Sequence, residues 1–138
     1  MAQSIQVFST KGVPGPRKVD LWNSILGELT DAVRVQPRDP LHFDGTLTRQ
    51  RVGPVTIFEV RCASVRVSHE NRRTEQRRRP SFQVLMPVQS EFSLAHGDRP
   101  LATVSTGSFC LIDRSAPYEM IHGDGLCTIG IELPRALL

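Results

Sequence analysis

The residues from Pro80 to Leu133 read as one short strand after another, with a turn signal every few residues. In the first of these strands the large apolar residues Phe82, Val84 and Met86 recur at every second position, which is the period of a β-strand. The predicted strands that follow lie at 91–95, 101–106, 109–113, 118–122 and 127–133. This succession predicts a β-meander that closes into a barrel or a sandwich.

Two further hairpin strands and a bent third strand are predicted upstream. Phe43–Val52 and Val55–Arg61 are joined at Gly53-Pro54, a turn dipeptide that fixes a hairpin. A third strand is predicted over Ala63–His69. We therefore expect one domain of 138 residues, with its barrel at 41–134.

One amphipathic helix is predicted over 17–34, after an N-terminal arm at 1–16. Apolar residues fall there at spacings of three and four, so they form a single stripe, and these residues are Trp22, Ile25, Leu26, Leu29 and Val33. The fold class predicted is therefore mainly β, with this helix packed on the outside and Trp22 against the β core. The proline-containing stretch Gln36–Pro40 should end the helix.

Composition and charge favour a soluble protein in a reducing compartment. Hydrophobic residues make up 39% and charged residues 22%, and the net charge is +3. No apolar run is long enough for a membrane span and no signal peptide is recognisable, so we expect a cytoplasmic protein without membrane contact. Cys62, Cys110 and Cys127 are expected to be free thiols. The arginine-rich segment Glu70–Arg79 is expected to be a solvated loop, with phosphate or interdomain contact as the alternative.

No catalytic or metal motif stands out in the sequence. The four histidines, His42, His69, His96 and His122, are solitary, so we predict no metal site and no cofactor. Thr106-Gly107-Ser108-Phe109 lacks the second glycine of a nucleophile elbow, and no phosphate-binding glycine loop is present. An enzyme is therefore not expected.

Three segments carry a family resemblance. Residues 8–14, followed by a helix that bears a tryptophan, resemble the start of the effector-binding domain of AraC/XylS-type transcriptional regulators. Residues 107–119 resemble that family's G-D-x-x-L-x-D-x-x-x-P-Y stretch, and residues 131–138 its closing L-x-L-P-R-x-L-L. Ser108 departs from the aspartate that is common in the family, and Pro87 interrupts a strand, which indicates an edge or a bulge there.

The resemblance implies a cupin-like β-barrel that senses a small molecule and controls a C-terminal DNA-binding domain with two helix-turn-helix units, which this chain lacks. We expect a homodimer that contacts DNA only through that missing domain. The arm at Ile5–Phe8 is either a lid or dimer contact, or an ordinary edge strand.

From the alternation of residues we predict that a small, apolar or aromatic effector enters the barrel. The residues expected nearest the pocket are Trp22, Phe82, Val84, Met86, Phe109, Leu111, Tyr118 and His122. Tyr118 and His122 are the candidate polar contacts. Because a packed core needs the same residue types, two alternatives stay open, a dimerisation module with a filled core and a stand-alone cupin-type enzyme.

Overall fold

The computed structural model describes residues 4–30, 33–69 and 81–137, and these residues are mainly β. Two antiparallel sheets pack around one apolar core, with a single helix before most of the strands. The elements in chain order are β1 (Gln6–Ser9), α1 (Gly15–Thr30), β2 (Val33–Pro37), β3 (Gly45–Val52), β4 (Val55–Cys62), β5 (Val65–His69), β6 (Ser81–Gln89), β7 (Phe92–His96), β8 (Ala102–Val104), β9 (Cys110–Asp113), β10 (Tyr118–His122), β11 (Leu126–Pro134) and a 3-10 turn (Arg135–Leu137). The predicted β-barrel with one N-terminal helix is confirmed. The predicted meander is wrong, because the consecutive strands β9, β10 and β11 alternate between two sheets and do not pair with one another. The arginine-rich segment Glu70–Arg79 lies outside the described residues.

The strands divide between a large and a small sheet. The large sheet has six strands in the order β1-β3-β4-β11-β6-β9, and the small sheet has five in the order β2-β5-β10-β7-β8. The chain passes from the large to the small sheet between β4 and β5, where the amide of Ala63 donates a hydrogen bond to the carbonyl of Asp44 over 3.1 Å. The bend predicted near Cys62 is this crossing between the sheets.

The predicted hairpin between β3 and β4 is present with its turn at Gly53-Pro54. Val52 and Val55 face each other next to the turn, and Gly53 has a φ of 59°. Because a side chain disfavours positive φ, glycine suits this position. The N-terminal arm forms β1, an edge strand that pairs with β3.

The helix lies nearer the N-terminus than the predicted 17–34, and it ends before Gln36–Pro40, the stretch that was wrongly predicted to end it. It begins at Gly15 and ends at Thr30, whereas Val33–Pro37 form strand β2. β-branched Val33 and Val35 suit a strand, and β2 lies at the edge of the small sheet, where Pro37 interrupts no central ladder. Of the helices in the described residues, none is long and apolar enough to cross a membrane.

Pro87 lies at an irregularity, as its missing N–H predicts. The pairing of β6 with β11 shifts between Cys127 and Thr128, whose partners are Gln89 and Pro87. On the other side, the pairing of β6 with β9 ends at Leu85. The prediction of an edge or a bulge is confirmed as a bulge in an interior strand, where the carbonyl of Pro87 still accepts a hydrogen bond from Gly107 over 2.9 Å.

A buried ion pair ties β11 to the turn that follows β9. Nη1 of Arg114 lies 2.7 Å from Oε1 of Glu132 and 3.1 Å from Oγ of Ser81. The Arg114 side chain is buried, so its charge requires the carboxylate partner. This pair fixes the chain close to where β11 ends.

Two glycines allow large aromatic side chains to lie directly on the backbone of the large sheet. A Cβ atom at Gly45 would lie 2.9 Å from the Trp22 ring, and one at Gly130 would overlap the Phe58 ring. Gly130 and Phe58 are direct partners in the β4–β11 pairing. The core therefore uses the missing side chains of these glycines as space for the rings.

We predict that Gly130→Ala destabilises the protein by about 1–3 kcal/mol, because the added methyl group overpacks the core against Phe58. Urea unfolding followed by circular dichroism measures this. Gly27→Ala in α1 is the matched control, since its Cβ would meet nothing within 4 Å and alanine favours helix.

A double-mutant cycle tests the cause. In a Phe58→Leu background, Gly130→Ala should cost less than it does in the wild type, since the smaller side chain leaves room. An equal cost in both backgrounds would contradict this account.

Candidate functional site

A cavity of about 80 Å³ lies in the barrel interior between the two sheets. Side chains from α1 and from both sheets form its wall, and most are apolar. The lining residues are Trp22, Leu26, Val33, Phe58, Val60, Cys62, Val65, Val67, Gln83, Leu85, Tyr118, Met120, His122, Leu126 and Thr128. The cavity is small beside the ~300–1,000 Å³ typical of ligand pockets.

Helix α1 supplies part of the cavity wall. Trp22 is fully buried and stacks edge-on against Phe43, with ring centroids 5.6 Å apart and planes at 61°. Leu26, one turn further along the same face, also lines the cavity. The sequence prediction that Trp22 packs against the β core is confirmed, and its ring reaches the barrel interior.

Asn23 fastens α1 to β2. Its side-chain oxygen accepts a hydrogen bond from the amide of Val35 over 2.8 Å, and its Nδ2 donates to the Val35 carbonyl over 3.3 Å. The Asn23 side chain thus bonds to both the N–H and the C=O of Val35, as a neighbouring strand would. The position of Trp22 in the cavity wall therefore depends on contacts between helix and edge strand.

Among the described side chains that line the cavity, His122 is the one histidine, and it is neutral at neutral pH. Burial lowers its pKa below 6.5, although the nearby Gly123 carbonyl and Asp124 act in the opposite direction. Nδ1 lies 2.8 Å from the Gly123 carbonyl and so carries the proton, which leaves the lone pair of Nε2 facing Sγ of Cys62 at 3.5 Å.

Cys62 and His122 do not form an activated nucleophile. Burial raises the pKa of the Cys62 thiol to about 12, and Cys127 adds to the shift. A catalytic cysteine needs a lowered pKa and a protonated histidine beside it. The pair instead consists of a thiol and a neutral imidazole.

Three residues predicted near the pocket do line the cavity. Trp22, Tyr118 and His122 are all in its wall. Tyr118, Met120 and His122 lie at every second position of β10, and all three point inward. That period of two would have identified Met120 from the sequence.

The other five residues lie away from the cavity, so the face assigned to β6 from the sequence is wrong. Gln83 and Leu85 point inward, which places Phe82, Val84 and Met86 on the outer face of the large sheet. Leu111 is opposite Val84 in the pairing and is 52% exposed, while Phe109 precedes β9 and is 71% exposed. Both faces of β6 carry apolar residues, so alternation alone could not choose between them.

Sequence reasoning missed most of the remaining wall. Phe58, Val60 and Cys62 share the inner face of β4, and Val65 and Val67 that of β5. Gln83 and Thr128 were missed because polar residues are seldom expected in a core. Only the pairing of their strands places them at the cavity.

A larger recess of about 580 Å³ lies at the surface and is polar. Its wall includes Arg38, Asp39, His42, Ser64 and Asp124. Both carboxylates there already have partners, since Nδ1 of His42 lies 3.1 Å from Asp39 and the Ser64 amide donates to Asp124 over 2.7 Å. Within residues 4–30, 33–69 and 81–137, no group of three or more histidines, cysteines and carboxylates could hold a metal ion. The barrel interior is therefore the candidate site.

Comparison with known proteins finds a matching family model and similar solved structures. A family model described as an AraC-binding-like domain matches residues 22–138. The solved structure of the AraC-like transcriptional activator CuxR superimposes with a TM-score of 0.81 at 18% identity, over 98% of this chain and 49% of that one. The chain thus spans about half the length of CuxR. No curated protein sequence matches the chain.

More distant structures share the cupin-like architecture. KdgF from Halomonas sp. gives a TM-score of 0.51 at 14% identity, over 75% of this chain and 90% of that one. A cupin-like protein from Thermotoga maritima gives 0.50 at 14% identity, over 70% and 74%. At these identities the likeness concerns the fold alone.

We predict that stability falls with acid as His122 becomes protonated. Because the folded-state pKa is lowered, the unfolded chain binds the proton more readily, so the contribution of His122 is complete above about pH 6.5 and is lost as pH falls toward the lower folded-state pKa. Urea unfolding at several pH values from 8 down to about 5 measures the slope. His122→Gln should flatten the slope in this window, and an unchanged slope would show that His122 is not its source.

Proposed function

Since the chain belongs to the AraC-binding-like domain family, we propose that it is the ligand-sensing domain of a transcriptional regulator. The observation that supports this most is the cavity between the sheets, whose apolar wall contains a few polar groups, as small-molecule sites do. The effector is a small molecule held in the barrel interior. A DNA-binding domain attached to this one would read out the bound state.

The small size of the cavity suggests how binding could be signalled. A ligand of ordinary size needs more room than about 80 Å³, and α1 is the part of the wall that is not a strand of either sheet. We propose that ligand entry displaces Trp22 and shifts α1 with the N-terminal arm. For this to change DNA binding, the ligand must bind the two positions of α1 with different affinities.

The described residues favour a binding role over catalysis. The cavity wall contains no carboxylate, and its one cysteine–histidine pair is neutral. We therefore propose that the domain is not an enzyme. The three cysteines are free thiols, which fits the proposal of a cytoplasmic protein.

Trp22 provides the test, because it is the only tryptophan of the chain and lies in the cavity wall. A compound that enters the barrel should change the fluorescence of Trp22 and raise the melting temperature. At about 100 times its dissociation constant it should add roughly 2.7 kcal/mol of stability. A library of small aromatic acids, amines, ketones, sugars and fatty acids covers the main chemical classes.

Two valine variants distinguish binding in the barrel interior from binding elsewhere on the protein. Val60→Phe places a ring in the cavity and should weaken binding of any hit by at least about tenfold, whereas Val84→Phe on the outer face of the same sheet should leave binding unchanged. Equal binding to both variants, or no hit from any class, would refute the proposal.

Pairing of two copies is the second candidate function, and the outer face of the large sheet favours it. Ile57, Ile131, Val84 and Leu111 are consecutive partners across four neighbouring strands, and therefore form one apolar row. Ile57 is 40% and Leu111 52% exposed. Contiguous exposed apolar surface of this kind commonly marks a protein interface, so we propose that a second copy covers it.

We predict that Leu111→Lys weakens a dimer of this domain, because it places a charge in the apolar row. Sedimentation velocity over a range of concentrations measures the effect, which should be at least about tenfold in the dissociation constant. Leu101→Lys is the matched control, since Leu101 is similarly exposed at 58% but precedes β8 in the small sheet. A monomeric wild-type protein, or equal dimerisation by both variants, would exclude this face.

A further inference from the structure

Three buried polar atoms at the cavity have no hydrogen-bond partner among the described residues. They are Nε1 of Trp22, Nε2 of Gln83 and Oγ1 of Thr128. The three residues are 0%, 2% and 5% exposed, and each lines the cavity. A buried polar group without a partner costs roughly 1–3 kcal/mol, so an occupant that supplies partners would be bound with a matching gain.

These atoms are mainly donors. The indole N–H of Trp22 and the amide nitrogen of Gln83 can only donate a hydrogen bond, while the hydroxyl of Thr128 can also accept one. The complementary group is an acceptor oxygen. The donors come from α1, β6 and β11. Gln83 pairs with Glu132 and Thr128 with Pro87, so the two strand donors lie in different parts of the cavity wall.

The charge of the wall argues against an ionic occupant. Its described residues include no lysine, arginine, aspartate or glutamate, and His122 is uncharged at a pH near 8. An ion transferred into such surroundings would lose its hydration without gaining a counter-charge. The acceptor oxygen must therefore belong to a neutral molecule.

A carbonyl oxygen meets the requirement better than water does. It has lone pairs and no hydrogen, so it satisfies a donor without needing an acceptor from the apolar wall. A water molecule would bring two hydrogens and needs two to four polar partners. The rest of the occupant must be apolar to match Leu85, Val65 and Leu126.

We infer that the barrel interior selects a small, uncharged, largely apolar compound that carries a carbonyl oxygen, which accepts a hydrogen bond from one of the two strand donors, Gln83 or Thr128. This inference rests on the proposed ligand-sensing function and specifies the chemical class of its ligand. The cavity of about 80 Å³ is roughly half of the ~150 Å³ that accommodates benzene, so short ketones and aldehydes fit with the least movement of α1.

The test compares three probes of matched size and shape on the full chain, namely 2-pentanone, 2-methylpentane and butanoate. Binding is followed by Trp22 fluorescence and by saturation-transfer NMR of the probe at a pH near 8, where butanoate is ionised. The ketone should bind at least about threefold more tightly than the hydrocarbon, as expected for one added hydrogen bond, and the carboxylate should bind most weakly.

Isosteric variants locate the recognition. Gln83→Leu and Thr128→Val remove the polar atoms with little change in volume, and the variant that removes the donor to the ketone should reduce the preference for ketone over hydrocarbon. Val52→Ile at the exposed end of β3 is the control and should preserve that preference. The comparison of the three probes uses only the wild-type protein, so it still tests the inference if a core variant fails to fold.

The outcomes separate this inference from the function on which it rests. If the hydrocarbon or the carboxylate binds as tightly as the ketone, or if the ketone preference persists in both core variants, the inferred ligand class is wrong while ligand sensing stands. If none of the three probes binds, the inference is also wrong, because water alone then occupies the donors. Only the absence of any hit in the wider library would count against the sensing function itself.

Discussion

The shape of the barrel interior depends on Trp22, whose ring extends from α1 toward the two sheets. The ring rests on the bare backbone of Gly45 and against the edge of Phe43, and it forms part of the cavity wall. An aromatic ring of this size buries more apolar surface than any other single side chain, so its contacts contribute strongly to the position of α1. Asn23 then aligns the helix with β2 through the backbone of Val35. A shift of α1 would therefore change both its contacts with β2 and the shape of the cavity.

The large sheet has two apolar faces, of which the inner one is buried and the outer one is partly exposed. Its inner face carries Phe58, Leu85 and Leu126 in the core, whereas its outer face leaves Leu111 and Ile57 exposed. A sheet packed on one side only would show polar residues on the other. The outer face is therefore suited to contact with another surface, and the inner face to a small molecule. Sensing and pairing are thus compatible roles for one sheet, on opposite sides.

The polar atoms of the cavity distinguish it from an ordinary gap in packing. A void lined only by apolar groups would stay dry and would impose no chemistry on an occupant. Gln83 and Thr128, like the indole of Trp22, instead present buried polar atoms that have no partner among the described residues. Natural cores seldom leave such groups unpaired, which is why their position in a cavity wall points to a ligand.

Local stereochemistry accounts for most of the elements. The strand period of two, the apolar helical stripe, the Gly53-Pro54 hairpin and the irregularity at Pro87 can all be read from neighbouring residues. The sequence also indicated the family through short motifs in order. It could not decide which face of β6 points inward, because Phe82 and Leu85 are equally apolar and only the pairing with β9 and β11 resolves the choice. For the same reason Gln83 and Thr128 could not be assigned to the site. Their burial results from contacts between residues far apart in the chain, which only the tertiary structure brings together.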